Sequence, residues 1–311
     1  MTSRTQACSS RKRIPKKIAG LEEPGARLKT LAIATLKSDH NLADLLHAAG
    51  LARSTYFYHA QRLTEPDKHQ KLKEEIQAIF TESKHRYGYR RVRVELVKKD
   101  WKVSKKLVWK LMDQLNLKSK VRIRRKYSSY KGKTSHIAEN ILKRQFQTRV
   151  ANTKWVSDVT EFRVAGRKLY LSPIMDLFDH CIISHTISTS PTTAFTSASL
   201  AEAFESQRPA SGLLVHTDQG FQYQHSSWRH LLTKHGAVQS MSRKGNCFDN
   251  SVMENFFGHL KSEMYHGEHF ATVADLTREI NEYIDWYNHV RCQERLQGMA
   301  PIEYRCHTLA A

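Results

Sequence analysis

Three carboxylates carry the chemistry that this sequence could perform. Asp158 lies within WVSDVTEF and Asp218 directly follows the short apolar run LLVHT. Glu254 lies in DNSVMENFFGHLKSE, with 35 residues between it and Asp218. Brought into one pocket, such groups repel one another and raise their own pKa values unless a cation neutralises them. An oxygen-only ligand set, with no Cys or His at ligand spacing, suits Mg²⁺ or Mn²⁺ rather than zinc. Two such ions about 3.5–4 Å apart can activate an attacking oxygen and stabilise the leaving oxygen of an in-line phosphoryl displacement. Each residue also has a simpler reading. An Asp beside a strand is commonly a turn former and a Glu on a helix a solvated charge, and spacing alone leaves both readings open.

The elements that must position these groups begin at Thr153. TKWVSDVTEFRV alternates apolar and polar residues, and LYLSPIMDLFDHCIISHTIS follows a turn at residues 165–168, which predicts three antiparallel strands in a meander. A helix is expected over residues 191–205, a strand over 212–217, a helix over 227–235, a strand over 237–241 and a helix over 249–263. This order implies a mixed α/β layer fold. Asp158 then falls in the first strand and Asp218 at the end of a later one, where a carboxylate can project at a sheet edge. On the last helix Asn250, Glu254 and Lys261 share one face, while Val252, Phe256, Phe257 and Leu260 supply the buried side.

The charge is unevenly distributed. The 311 residues include 50 Lys and Arg against 30 Asp and Glu. Residues 1–150 hold 36 basic and 13 acidic side chains, while residues 151–311 hold 14 and 17, so the excess belongs to the first half. There Arg122, Arg124, Arg125, Lys126, Lys131 and Lys133 interleave with Tyr127 and Tyr130, a pattern that suits a polyanion. No apolar run approaches the ~18 residues of a membrane span. Nor does an apolar stretch follow the basic N-terminus, and a soluble intracellular protein is expected. Five scattered cysteines argue against a disulfide framework and read as reduced bystanders.

The first half reads as helical. Residues 26–37 form a short amphipathic stretch. NLADLLHAAGLARSTYFY, with a Gly50 break and Ser54 as a candidate N-cap, fits a helix-turn-helix or an ordinary αα-hairpin. A second helical unit follows, with helices over about residues 67–84 and up to about 99, then one capped by Ser104. Val103, Leu107, Val108, Leu111, Met112 and Leu115 form the core face of that last helix. Arg86, Arg90, Arg91 and Arg93 are the candidates of this second unit for phosphate contact. The expected organisation is a basic arm with a helix-turn-helix-like segment over residues 1–62, a second helical DNA-binding unit over 63–117, a basic linker over 118–150, and a catalytic domain with C-terminal helices over 151–311.

WVSDVTEF, HTDQGFQY, SMSRKGNCFDNSVMENFFGHLKSE and YNHVRCQERLQGMAPIEY together resemble the transposases of insertion-sequence family three, which carry a retroviral-integrase-like core. LARSTYFYH and HRYGYRRVRVEL extend the resemblance over nearly the whole chain. It implies an RNase H-like core preceded by an all-α, helix-turn-helix-like DNA-binding region, with a DDE triad of Asp158, Asp218 and Glu254 holding two Mg²⁺ or Mn²⁺ ions. Lys261 matches a basic residue expected to touch DNA near the scissile phosphate. Asp176 and Asp249 match family blocks and read as structural or supporting. His216 could orient a phosphate or water or make a structural hydrogen bond, and Asn250 supports Glu254.

Two departures from known patterns bear on partners. No His/His/Cys/Cys spacing occurs, so zinc is not implied. The chain resembles the downstream-frame product of the family, with no sustained heptad pattern before Ala60, which leaves end recognition and zipper multimerisation without a visible element. The resemblance implies a bacterial, cytoplasmic, nucleoid-associated enzyme that cuts one strand at an element end and joins the freed 3′-hydroxyl to target DNA. Its partners would be double-stranded DNA, copies of itself on that DNA and, as an open candidate, the upstream-frame protein, with no membrane. Two rivals stay open, a non-catalytic DNA-binding regulator of transposition and a metal-dependent nuclease without strand transfer.

Overall fold

The computed structural model describes residues 25–64, 67–120, 137–243 and 247–310. Arg122, Arg124, Arg125 and Lys126 lie outside them. The chain packs as two compact units, one up to Glu74 and one from Glu75 onward.

The first unit holds α1 (Ala26–Leu36), α2 (Leu42–Ala49) and α3 (Arg53–Thr64). Asn41 caps α2 by accepting from the Ala43 amide, and Gly50 ends it in the left-handed region, at φ 58°. Ser54, expected as a cap, instead lies inside α3, whose first residue is Arg53. Ile33, Leu45, Leu46 and Tyr56 close the small core between the three helices.

The division between the units falls within α4 (Gln70–Glu82). Next come α5 (Tyr89–Lys98) and α6 (Lys105–Gln114). The Ser104 hydroxyl accepts from the Leu107 amide, so the expected cap is formed, and Val108, Leu111 and Met112 are buried. Residues 137–153 do more than link domains. Leu142 is buried in an apolar core cluster of the second unit, and the Ile141 and Leu142 amides both donate to the Ser240 hydroxyl. No periodicity announced this, because the segment packs through single side chains and backbone donors rather than as a helix or strand.

The remainder of the second unit is built on a six-stranded mixed sheet: β1 (Lys154–Ser157), β2 (Thr160–Val164), β3 (Arg167–Asp176), β4 (Ile182–Ser188), β5 (Leu214–Thr217) and β6 (Val238–Met241). The expected meander is present. A tight turn at Ala165 and Gly166, both at positive φ, joins β2 to β3, and β3 pairs antiparallel with β1, β2 and β4. β1 then pairs parallel with β5, and β5 parallel with β6. α7 (Thr193–Gln207), α8 (Phe221–Gln224), α9 (Ser226–Lys234) and α10 (Ser251–Leu260) follow their strands, then α11 (Val273–His289) and α12 (Pro301–Leu309). Two apolar clusters are built on the sheet. Trp155, Ile174, Leu200, Phe204 and Trp228 belong to one, and Val156, Met175, Phe256, Leu260, Ile280 and Tyr283 to the other. Adjacent strand residues such as Trp155 and Val156 enter different clusters, as the twofold alternation of a strand requires.

β1 and β2 are one strand interrupted at Asp158 and Val159. Ser157 faces Ile174 and Thr160 faces Leu171 in an unbroken register, so Asp158 stands opposite Pro173. In an antiparallel ladder every second pair exchanges hydrogen bonds. The Leu177 amide donates to the Lys154 carbonyl, which makes Asp158 and Pro173 the next such pair after Val156 and Met175. Proline has no N–H to give, and the ladder opens at Asp158.

Candidate active site

The parallel pairing of β1 with β5 brings the two aspartates together. Trp155 aligns with Val215 and Val156 with His216, and the same offset continued past the strand ends sets Asp158 beside Asp218. Neighbouring strands lie about 4.8 Å apart, so the two carboxylates emerge side by side at the C-terminal edge of the sheet. Each receives one nearby amide. Val159 N donates to Asp158 Oδ1 at 2.7 Å, and Gly220 N to Asp218 Oδ1 at 2.9 Å. A Cβ at position 220 would crowd the end of Gln222 and lie 2.9 Å from Asp218 Oδ1, so the side chain of Asp218 would have to shift to admit it.

Glu254 arrives from the other direction, on α10. The helix was expected to run unbroken over residues 249–263, but it forms in three pieces: a 3₁₀ turn at Cys247–Asn250, α10 itself, and a π-helical turn at Lys261–Tyr265. Phe256, Phe257 and Leu260 are buried as expected, Val252 is half-buried against the same cluster, and Met253, not expected there, is fully buried beside them. Burial pushes the Asp158 carboxyl well above the usual carboxylate range. Asp218 and then Glu254 add to the rise, opposed by the Val159 amide and the Lys261 ammonium. Burial also raises Asp218, against the Gly220 amide. The structure thus brings Asp158, Asp218, Glu254 and Lys261 into one electrostatic neighbourhood. Lys261 Nζ lies 5.2 Å from the centroid of Phe162, which places its charge over an aromatic face beside the acids.

Supporting contacts fix the acids. Asn250 Nδ2 donates to the Ser157 carbonyl at 3.3 Å, tying the base of α10 to the residue before Asp158. The Tyr223 hydroxyl lies 3.3 Å from Ser157 Oγ beneath the same strand end. Asp249 is fully buried and held by Arg243, Arg144 and Asn140, and Arg243, then Arg144, keep its carboxyl well below the usual range. His216 is fully buried, with its ring nitrogens 2.8 Å from Ser240 Oγ and 3.0 Å from Ser242 Oγ. Burial lowers its pKa to about 4, so it is a neutral strut between strands rather than a group facing phosphate or water. Asp176 accepts from the amides of Asn152 and Phe178 and from Arg305 on α12, a structural anchor.

The arginines of the second helical unit divide. Arg90 is exposed. Arg91 Nη1 donates to Glu263 Oε1 at 3.2 Å, and Arg93 Nε to the Val103 carbonyl at 3.0 Å. Arg86 is 7% exposed and stacks on Trp286 and Tyr283, which corrects its reading as a surface phosphate contact. The partners that decide these fates, Glu263 and Trp286, lie more than 170 positions away, and no local pattern signals them.

A sheet of this order, with two aspartates at neighbouring parallel strand ends and a glutamate on the helix beyond, defines an RNase H-like integrase core. Family profiles agree. Two described as "Integrase core domain" match residues 149–247 and 254–309, and one described as "HTH-like domain" matches residues 67–127. The putative transposase InsK for insertion sequence element IS150 of Escherichia coli is 43% identical over 273 residues, 88% of this chain and 96% of that protein. The transposase InsF for insertion sequence IS3A of the same species is 30% identical over 91% of this chain and 100% of that protein. The catalytic core domain of HTLV-2 integrase, solved in complex with magnesium, matches 49% of this chain and 95% of that one at 17% identity and a TM-score of 0.40. The chain belongs to the insertion-sequence transposases of family three, and is a DNA transposase with a DDE integrase-type core.

Proposed function

We propose that Asp158, Asp218 and Glu254 are the catalytic carboxylates of this transposase, cutting one DNA strand at the element end and joining the freed 3′-hydroxyl to target DNA. The observation that carries this reading is the shared register of Asp158 and Asp218 on adjacent parallel strands, with Glu254 acting on the same carboxyl. The donor set suits hard divalent ions: all three ligands are carboxylates, and their mutual repulsion is what a cation relieves. Among the described residues no three acidic, His or Cys side chains stand ready to share an ion as they lie.

Bound Mg²⁺ or Mn²⁺, two per site, would supply Lewis acidity and a lowered pKa for attacking water. The chain's own groups do the positioning. The Gly220 amide aims Asp218, the break opposite Pro173 frees Asp158 from the ladder, and Asn250 fixes α10 against Ser157. Lys261 brings a cation to the acids and would neutralise a phosphate held near them. Element ends and target duplex are the proposed substrates, with copies of the chain assembling on them in the bacterial cytoplasm at the nucleoid. Among the described residues no helix is long and apolar enough to cross a membrane.

Incubating the purified chain with labelled element-end duplex and Mg²⁺ or Mn²⁺ tests this, with nicked and joined products expected. Shifted DNA without any covalent product would establish the regulator instead, and nicking without joining the nuclease.

A further inference from the structure

Where α5 turns its arginines inward, α6 leaves its charge outside. Arg91 is committed to Glu263, and Arg93 Nε donates to the Val103 carbonyl, which ties the chain just ahead of α6 to α5. Residues 101–120 hold six lysines and one acid, Asp113. Two of the six are engaged within the fold, since Lys105 pairs with Glu294 at 2.8 Å and Lys120 pairs with Glu268. Lys102, Lys106, Lys110 and Lys118 are exposed and, among the described residues, pair with no acid.

Packing turns one face of α6 outward. Val108, Leu111 and Met112 enter the core, so Lys106, Trp109, Lys110 and Asp113, at positions i, i+3, i+4 and i+7, stand together on the opposite side. Trp109 is 55% exposed, whereas Trp155 and Trp228 are fully buried. An indole left in water among ammonium groups is the composition of a recognition surface rather than of a solvated face. With one acid against four unpaired lysines, the surface that complements it is a polyanion. Its shape narrows the choice. A helix with its side chains is about 10–12 Å across, and the major groove of a duplex is about 12 Å wide. The start of α6 is also held firmly, by the Ser104 cap, by Arg93 on Val103 and by Lys105 on Glu294, so the face keeps a fixed position against the unit that carries the three acids.

We propose that this face of α6 docks in the major groove of duplex DNA, with Lys106 and Lys110 on phosphates at the groove edge and the Trp109 indole against base edges. Apolar contact with thymine methyl groups suits the indole. Asp113 would repel a phosphate but can accept from a cytosine amino group, so it belongs with the base contacts. Lys102 and Lys118 add charge at the two ends of the helix. The proposal deepens the transposase reading, from which it takes only that the polyanion is DNA, and it gives α6 the contacts that the sequence suggested for Arg91 and Arg93.

The test uses the full chain labelled with 5-fluorotryptophan, in which the Trp109 fluorine resonance is identified by its loss in Trp109→Phe. All four substituted or observed positions on this face are at the surface, so the variants spare the core. The protein is titrated in EDTA with an element-end duplex and, separately, with a scrambled duplex of equal length. A saturable shift of the Trp109 resonance is expected, with those of Trp155 and Trp228 unmoved. A larger shift with the element end supports docking with base readout, and equal shifts support docking without sequence choice. Lys106→Gln with Lys110→Gln should lower the slope of log affinity against log salt by about two, at roughly 0.9 per phosphate contact. A Trp109 resonance unmoved by both duplexes, or an unchanged slope in the double variant, overturns the proposal. So does a shift on concentrating the protein without DNA, which would make the face a contact between copies. No metal or strand joining enters this readout. A chain that joins strands with Trp109 unmoved sinks only the α6 face, and one that shifts Trp109 but joins nothing in Mg²⁺ sinks only the proposed catalysis.

Discussion

Replacing Glu263 by Gln probes how the second helical unit is locked to the catalytic core. Glu263 is 4% exposed and accepts from Arg291 Nε at 2.9 Å, Arg291 Nη2 at 2.7 Å, the Tyr283 hydroxyl at 2.8 Å and Arg91 of α5 at 3.2 Å. Burial alone would raise its pKa, but the charge and hydrogen bonds of Arg291, then Arg91, lower it from 4.5 to about 2. At 1.36 kcal/mol per unit, a depression of that size is worth roughly 3 kcal/mol of stability at neutral pH. A second route gives a similar figure, since removing one partner of a buried ion pair costs about 3–5 kcal/mol. Because the folded pKa is the lower one, this stability is present above pH 4.5 and is lost as pH falls toward 2.

All five tryptophans lie beyond Glu75, so urea unfolding followed by tryptophan fluorescence reports this unit alone. Glu263→Gln should lose about 3 kcal/mol at pH 7, and the gap to wild type should narrow below pH 4.5 as the wild-type carboxylate itself becomes protonated. Adding Arg291→Met to Glu263→Gln should recover part of the loss, because the remaining cost is a buried unpaired charge. A loss under about 1 kcal/mol, or a gap that ignores pH, would refute the assignment of Glu263 as a buried anionic clamp.

Asp218→Asn should abolish nicking and joining while DNA binding in a gel shift is retained; joined product from this variant would remove Asp218 from the triad. Asp158→Asn should raise the thermal midpoint of the protein without added metal at pH 7, because the raised pKa makes the charged carboxylate a cost above the ordinary range, and calorimetry showing no gain would contradict that reading. Gly220→Ala should fold normally by circular dichroism yet lose most strand joining, because its Cβ would collide with Asp218 Oδ1; full activity would mean that this amide contact is dispensable. His216→Gln should flatten the loss of stability between pH 6.5 and 4, where wild-type folding is penalised for keeping the ring neutral. Identical pH curves for the two proteins would place the acid sensitivity elsewhere.

Much of the catalytic core was legible because its signals are local. The alternation around Asp158, the turn at residues 165–168, the Ser104 cap and the order of strands and helices depend on neighbours a few positions apart, and each formed within a residue or two of expectation. Ser54 fell inside α3 because a hydroxyl next to a helix start suits either position. The opening at Asp158 was written in the sequence too, as Pro173, but its meaning depends on a register that only the folded sheet supplies.

Residue types and chain order thus settled which acids could act and which elements would carry them. Tertiary structure decided the fate of the charges. A basic side chain is a phosphate contact or a buried clamp according to what packs over it, and the partners of Arg86, Arg91 and Arg144 are Trp286, Glu263 and Asp249, each more than 100 positions distant. Desolvation and pairing act through space and leave no periodicity, so the same arginine reads alike in sequence whether it meets DNA or the protein's own interior.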